Sequence, residues 1–284
     1  MSVAAVAGTR FGFGANWLRF SAQITEERIQ EAQRSLREML ATDTMRGKRF
    51  LDIGCGSGLF SLAARRLGAE VYSFDFDPLS VKCTEEVRRS YSPGDAQWQV
   101  HRGSVLDPAF MSTLGVYDVV YSWGVLHHTG EMWSALDQTC ARVNAGGALF
   151  VAIYNDQGIR SRWWTQVKKT YNRLPRLLQV PYLMLFSAAL ETGAVGVAVL
   201  RGDPGRLVDR WTKYQSVRGM SRWHDLVDWI GGFPFEVASP ERVFDFCSSR
   251  GFVLKRLITC GGRMGCNEFV FERPREIPSR LPHP

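Results

Sequence analysis

The sequence predicts an α/β protein: a mostly parallel sheet covered by helices on both faces, with a helical segment inserted before the sheet is completed. Three observations carry this. From Lys48 to Ile153, short apolar runs alternate with amphipathic stretches, the order of successive strand-helix-strand units. A glycine-rich loop, Asp52-Ile53-Gly54-Cys55-Gly56-Ser57-Gly58, ends the first run and opens the first helix. Over 155–235 the alternation breaks into basic, tryptophan-rich residues of helical periodicity, and strand-like runs resume at Phe252.

The elements follow in order. Met1–Ala7 is small and apolar but has no basic residues ahead of it, so it does not read as a signal peptide. Phe11–Trp17 combines aromatic residues with glycines, and Thr25–Leu40 is an amphipathic helix whose Thr25-Glu26-Glu27-Arg28 start offers capping chemistry. Arg49–Ile53 is the first strand. The helix after Gly58 carries Leu59, Phe60, Leu62, Ala63 and Leu67 at helical spacing. Glu70–Phe74 is strand two, and Pro78 opens a helix at the one position where proline is favoured. Gln97–His101 and Tyr117–Ser122 are strands three and four. A helix over 131–143 is expected to stop at Asn144-Ala145-Gly146-Gly147, before strand five at Ala148–Ile153. Pro240–Ser249 reads as a helix, and Phe252–Ile258 and Asn267–Glu272 as strands. The expected organisation is a lid segment and helix at 1–47, a cofactor-binding core at 48–154, a helical cap at 155–238, completion of the sheet at 239–273 and a loose tail at 274–284.

Hydrophobic residues make up 45% and charged residues 22% of the 284, which excludes a disordered or fibrous chain. The net charge is +7, and its location is informative. Between Asn155 and His224 stand twelve Arg or Lys and four Asp or Glu, so that segment carries +8 and the rest −1. An anionic partner or substrate near the insertion is indicated. The six cysteines are scattered, and the Cys260–Cys266 spacing is not a zinc pattern. They read as reduced, buried thiols in a cytoplasmic protein, and no metal site is expected.

The chemistry concentrates at the ends of the strands. The loop spacing is G-x-G-x-G directly after Asp52, unlike the G-x-G-x-x-G that seats a dinucleotide pyrophosphate. A cofactor that lacks phosphate and carries an ammonium group, S-adenosylmethionine (SAM), suits a carboxylate there. Asp75, 23 residues after Asp52, stands where an acidic group accepts ribose hydroxyls. Phe76 beside it is placed to stack on adenine. Gly103-Ser104-Val105-Leu106 follows strand three at the adenine edge. Ser122-Trp123-Gly124-Val125-Leu126-His127-His128 follows strand four, next to the reacting methyl group.

These residues resemble the class I SAM-dependent methyltransferases, particularly the small-molecule branch that includes ubiquinone-biosynthesis enzymes. The resemblance covers 48–153 by motif and 240–272 by element order. It implies a Rossmann-like sheet of seven strands with the last antiparallel, SAM as cofactor and S-adenosylhomocysteine (SAH) as product. It implies cofactor contacts at Asp52, Gly54, Cys55, Gly56, Gly58, Asp75, Phe76, Ser104, Val105, Trp123 and Gly124. Many relatives have Asp where Ser104 stands, so the adenine amine contact passes to backbone or to Asp107. His127 and His128 are candidate general bases for removing an acceptor proton; the alternative is a structural pair that shapes the pocket. Acceptor contacts are expected from Trp17, Tyr154, Trp163, Tyr214, Arg218, His224 and Asp225. Asn267-Glu268 either faces the same cleft or is solvated.

Val180–Leu200 holds one charge, Glu191, in 21 residues. Length alone would let it span a bilayer, but Pro181, Glu191, Gly193 and Gly196 oppose that, and a span would part the two halves of one sheet. Two alternatives remain open. One is a buried helix pair turning near Glu191-Thr192-Gly193. The other is a hydrophobic surface framed by Lys168, Lys169, Arg173, Arg176, Arg201 and Arg206, peripheral to an anionic membrane through 168–206. Nucleic acid is disfavoured: methyltransferases that modify base amines resemble one another in an Asn/Asp-Pro-Pro-aromatic motif after strand four, which this chain lacks. The expected acceptor is a hydroxyl, less readily an amine, of a small or lipid-linked metabolite. An RNA or protein acceptor docked on the basic cap, or a noncatalytic SAM-binding module, is the alternative.

Overall fold

Strand one shows how the sequence builds the sheet: Phe50 faces one side and Leu51 the other, and both are fully buried, as strands covered on two faces require. The computed structural model describes residues 11–14, 17, 24–200, 202 and 222–275. Its strands are β1 (Arg49–Ile53), β2 (Glu70–Asp75), β3 (Trp98–Arg102), β4 (Tyr117–Trp123), β5 (Val143–Tyr154), β6 (Val253–Ile258) and β7 (Cys266–Glu272). They form one seven-stranded sheet in the order β3-β2-β1-β4-β5-β7-β6. Strands β1 to β5 pair in parallel, and β7 runs antiparallel to both β5 and β6. The expected mostly parallel sheet with an antiparallel last strand is what forms. The order reverses between β1 and β4, and ligands of open α/β sheets bind outside the carboxyl ends of the strands at such a switch.

Helices cover both faces. Helix α1 (Glu26–Leu40), α2 (Leu59–Arg66) and α3 (Pro78–Tyr91) lie on one, and α4 (Pro108–Thr113), α5 (Met132–Cys140) and α9 (Pro240–Ser248) on the other. In α1 the buried residues are Ile29, Ala32, Leu36 and Met39, the three-and-four spacing of an amphipathic helix. Thr25 is the residue before α1, but its side chain makes no capping bond to the helix; the hydroxyl bonds the Glu27 carboxylate instead. The acidic Glu26 and Glu27 in the first turn suit the helix dipole without that cap.

Two other expectations are corrected. Helix α5 ends at Cys140, and Asn144–Gly147 lies inside β5 rather than stopping the helix. Tyr117 pairs with Val143 and Val119 with Ala148, so extra β5 backbone is accommodated at an irregularity. A Cβ at Gly147 would stand 2.9 Å from the Asn144 carbonyl oxygen and 3.0 Å from that of Asp118. The glycine serves a bulge, where backbone passes close to backbone. Second, 180–200 does not turn at Glu191 but belongs to one continuous helix, α7 (Arg176–Leu200).

The chain divides into two compact units, Arg162–Pro234 with Phe11 of the described N-terminal residues, and Gly12–Ser161 with Phe235 onward. In the smaller unit, α6 (Ile159–Arg173) turns Trp164, Val167 and Tyr171 inward. Tyr182 of α7 donates to the Val167 carbonyl at 3.1 Å, and Phe186 packs near Trp164. Lys168 does not frame a surface as expected. It is fully buried, its ammonium donating to the Trp229 carbonyl and lying 4.4 Å from that indole centroid, on helix α8 (Arg222–Gly231). The long aliphatic stem makes such burial tolerable.

Helix α5 takes its N-terminal cap from far along the chain. Glu131 supplies no side-chain cap; both Glu236 carboxylate oxygens accept from the Met132 amide, 104 residues away, at 3.0 and 3.2 Å. Glu236→Ala is expected to lower stability by about 1–2 kcal/mol, and Glu236→Gln by less, since its amide oxygen still accepts. Equilibrium urea unfolding of both variants measures this; equal stability of Ala and wild type would contradict it.

Candidate functional site

The end of β2 organises the loop after β1. The Gly54 and Cys55 amides both donate to the Phe74 carbonyl, at 2.8 and 3.1 Å. The Asp75 carboxylate then takes one amide on each oxygen: Gly56 at 3.1 Å and Asp77 at 2.9 Å. Gly54 has φ 78°, and a Cβ there would come within 2.5 Å of the Val125 side chain. Only glycine combines that left-handed conformation with so close an approach. The loop after β1 is thereby packed against the turn after β4, and Ser122 donates to the Ile53 carbonyl at 3.1 Å across the same junction.

Beneath the loop runs a buried polar chain. The Trp98 indole N–H donates to Ser73 Oγ at 3.0 Å, Ser73 and Ser61 hydroxyls stand 2.7 Å apart, and Ser61 donates to Asp52 Oδ2. Burial pushes the Asp52 carboxyl up to about 7, against the pull of the Ser61 bond, with the Asp75 charge adding to the rise. Asp52 is turned inward and ties β1 to α2. The Cys55 thiol is buried too, bonded by the Thr84 hydroxyl at 3.2 Å, and burial holds it well above the usual thiol range. It is therefore no nucleophile.

The N-terminal segment reaches this loop. The Gly14 amide donates to Asp77 Oδ2 at 2.9 Å, and a Cβ on Gly14 would clash with Leu79 Cβ at 2.6 Å. A Cβ on Gly56 would meet the Trp17 indole at 3.2 Å, so that ring lies along the loop. The Cys83 thiol donates to the Trp17 carbonyl at 3.2 Å.

These groups fit SAM. Asp75 is half-buried at the strand end, an acidic group of the kind that accepts ribose hydroxyls. Phe76 beside it exposes 46% of its surface, an aromatic ring of the kind that stacks on adenine. Ser104 uses its hydroxyl to accept the Leu106 amide at 3.2 Å, and Val105 is buried. Asp107, the alternative adenine partner, caps α4 with one oxygen, accepting from Ala109 and Phe110.

After β4, Trp123 is 45% exposed and Gly124 turns the chain with φ 75° into a short 3₁₀ turn, Leu126–His128. His127 is fully buried. Its Nδ1 accepts the Tyr154 amide at 3.3 Å, which places the ring proton on Nε2, and its carbonyl accepts the Glu236 amide at 2.9 Å. His128 lies outward of it, its ring centroid 4.5 Å from His127, 5.5 Å from Tyr154 and 4.9 Å from Phe13. Tyr154 packs in turn on Phe235 at 5.2 Å. Both histidines and Tyr154 are therefore in one cluster beside the cofactor loop.

Two acidic residues join this edge whose place the sequence left open. The Glu236 backbone amide donates to the His127 carbonyl, and its carboxylate accepts the Met132 amide. Glu268, half-buried on β7, is bonded by the Trp123 side chain, and burial raises its carboxyl above the usual range. Trp123, Ala152 and Glu268 are register partners across β4, β5 and β7. The only sequence signal was a carboxylate opening the last strand. Its neighbour Asn267 is structural, donating to Asn155 Oδ1 at 3.0 Å and accepting the Cys260 amide at 3.1 Å. Trp163 falls in the smaller unit, 52% exposed against Trp164 and Phe186. Tyr214 and Arg218 lie outside the described residues, as do Arg201, Arg206 and the side chains of His224 and Asp225 in α8. Among the described residues no group of three or more His, Cys, Asp or Glu is placed to hold a metal ion, and no helix is long and apolar enough to cross a membrane.

A family model described as a methyltransferase domain matches residues 24–184, more than half of the chain. A ribosomal protein L11 methyltransferase of Helicobacter hepaticus is 38% identical over 84 residues, 29% of this chain and 25% of that protein. A ubiquinone biosynthesis O-methyltransferase of Brucella ovis is 31% identical over 119 residues, 42% of this chain and 46% of that one. The chain thus matches less than half the length of these curated relatives. The crystal structure of magnesium protoporphyrin IX methyltransferase from Synechocystis PCC 6803 with bound SAH superposes with a TM-score of 0.50 at 14% identity, covering 91% of this chain and 86% of that one. This last likeness shows the fold.

Asp52 gives the site a signature in stability. Its folded value, about 7, lies above the ordinary 3.8, so the native state holds a proton that the unfolded chain gives up. The contribution is whole below about pH 4 and is lost as pH rises through about 7. Asp52→Asn, which can still accept from Ser61, should flatten the decline in stability between those values. A variant with the wild-type pH profile would contradict the assignment.

Proposed function

The chain belongs to the methyltransferase-domain family, whose class I members use SAM, and on that premise we propose that it moves a methyl group from SAM to a hydroxyl of a small or lipid-linked metabolite by in-line displacement. The observation that carries the hydroxyl reading is His128, an imidazole beside Phe13 and Tyr154 on the turn that packs against Gly54. The partial likeness to a ubiquinone biosynthesis O-methyltransferase supports it.

On this reading Asp75 accepts the ribose hydroxyls, Phe76 stacks on adenine, and Ser104 and Val105 border the base. The loop backbone at Gly54, Gly56 and Gly58 would hold the methionine end, with Trp17 along the loop and Asp52 fixing the loop from below. When bound, SAM supplies a methyl group on a sulfonium centre, with SAH as product. Trp123, Gly124 and Tyr154 would border the reacting end and exclude water, and holding the acceptor oxygen in position there would supply much of the rate. His128 would take the proton of the acceptor hydroxyl as the methyl group is transferred. His127, whose Nδ1 is held by the Tyr154 amide, positions His128. The basic segment 168–206 gives peripheral contact with an anionic membrane where the acceptor is lipid-linked.

A protein acceptor is the second reading, favoured by the likeness to the ribosomal protein methyltransferase over the cofactor half.

SAH release should be measured with phenols, sugars, quinone precursors, protein and RNA as acceptors. Turnover is expected with hydroxylated small molecules. With such an acceptor, His128→Ala should lower kcat by about a hundredfold or more with SAH affinity unchanged, and His127→Ala should lower thermal stability. Turnover with protein or RNA alone would replace the acceptor class. Full activity of His128→Ala would remove the base.

A further inference from the structure

Over 177–189, helix α7 (Arg176–Leu200) carries apolar residues on both sides, whereas a helix on a globular surface usually keeps one side polar. Its inner side is accounted for by Tyr182, Leu183 and Phe186, which pack toward α6. Its outer side is bare. Leu177, Pro181, Met184, Leu185 and Ala188 fall at helical spacing and are all exposed. Leu177 exposes 88% of its surface, Leu185 66% and Met184 59%. A continuous apolar stripe of this kind marks an interaction site.

The charge pattern identifies the partner. From Gln157 to Leu190 the sequence has six Arg or Lys and no Asp or Glu. Lys168 is used inside the unit, but Arg162, Arg173 and Arg176 are exposed, the last two where α6 ends and α7 begins. Trp163, on the neighbouring helix, is half exposed, and tryptophan favours the membrane interface. An apolar stripe edged by cations suits an anionic lipid surface. A second copy of the chain would bring no carboxylate from 157–190 to meet these cations.

We propose that the outer face of α7 docks on an anionic bilayer, with the helix in the membrane plane, the stripe at the acyl boundary and Arg173 and Arg176 among the headgroups. This deepens the membrane contact of the proposed function and names the surface that makes it; it holds for any acceptor.

The test is sedimentation of the full chain with phosphatidylserine-containing vesicles and with pure phosphatidylcholine vesicles. Partitioning should be about tenfold or more stronger on the anionic vesicles and should weaken with salt. Leu177→Asp with Leu185→Asp, and separately Arg173→Glu with Arg176→Glu, should each cost about tenfold. Thermal unfolding and SAH affinity of both variants should match wild type. The proposal is overturned if wild type stays in the supernatant, if either pair binds vesicles as well as wild type, or if the leucine pair merely dissolves a dimer. Failure of wild type to bind SAH would instead count against the methyltransferase reading, since vesicle binding is read independently.

Discussion

The geometry of the cofactor side depends on one carboxylate, Asp75. By accepting the Gly56 amide on one oxygen and the Asp77 amide on the other, it fixes the loop after β1 to the end of β2. Each bond to an ionised acceptor contributes about 1.5–3 kcal/mol, and here the partners are backbone groups, so the chain itself is held. The consequence passes along the edge of the sheet. With the loop fixed, Gly54 can lie against Val125, and Val125 leads directly into the turn that carries His127 and His128. Asp77, released to cap α3, accepts Gly14 with its other oxygen and draws in the segment that bears Trp17.

The loop is supported from below by a second kind of constraint. Asp52, Ser61, Ser73 and Trp98 are almost wholly buried, yet each is hydrogen-bonded to the next. A buried polar chain is costly when broken, which makes it specific as well as stabilising. It ties β1, β2, β3 and α2 together directly under the site. Polar groups thus lie on both sides of a glycine loop whose own residues offer little but backbone.

Much of this was legible in the sequence because its causes are local. Glycine spacing, a following helix and a strand-end aspartate are neighbours in the chain, and each has one physical reason to be there. The first strand at Arg49–Ile53 and the amphipathic helix over Thr25–Leu40, which buries Ile29, Ala32, Leu36 and Met39, were equally plain. What escaped had long-range causes. Glu236 caps a helix 104 residues away, and Glu268 meets Trp123 only because β7 returns antiparallel beside β5. Asn144–Gly147 carried the local marks of a helix stop, but β4 pairing with Val143 claimed the segment for a strand. Lys168 looked like surface charge until Trp229 supplied both a carbonyl and a ring. Composition likewise showed that α7 was apolar but not which side was covered.

The central claim is that Asp75 organises the loop and holds the cofactor ribose. Calorimetric titration of the purified chain and of Asp75→Ala with SAH, with NAD in parallel, tests it most directly. Micromolar SAH binding by the wild type, no NAD binding, and loss of SAH binding in a variant that still unfolds cooperatively is the predicted result. Unchanged SAH affinity in Asp75→Ala would contradict it.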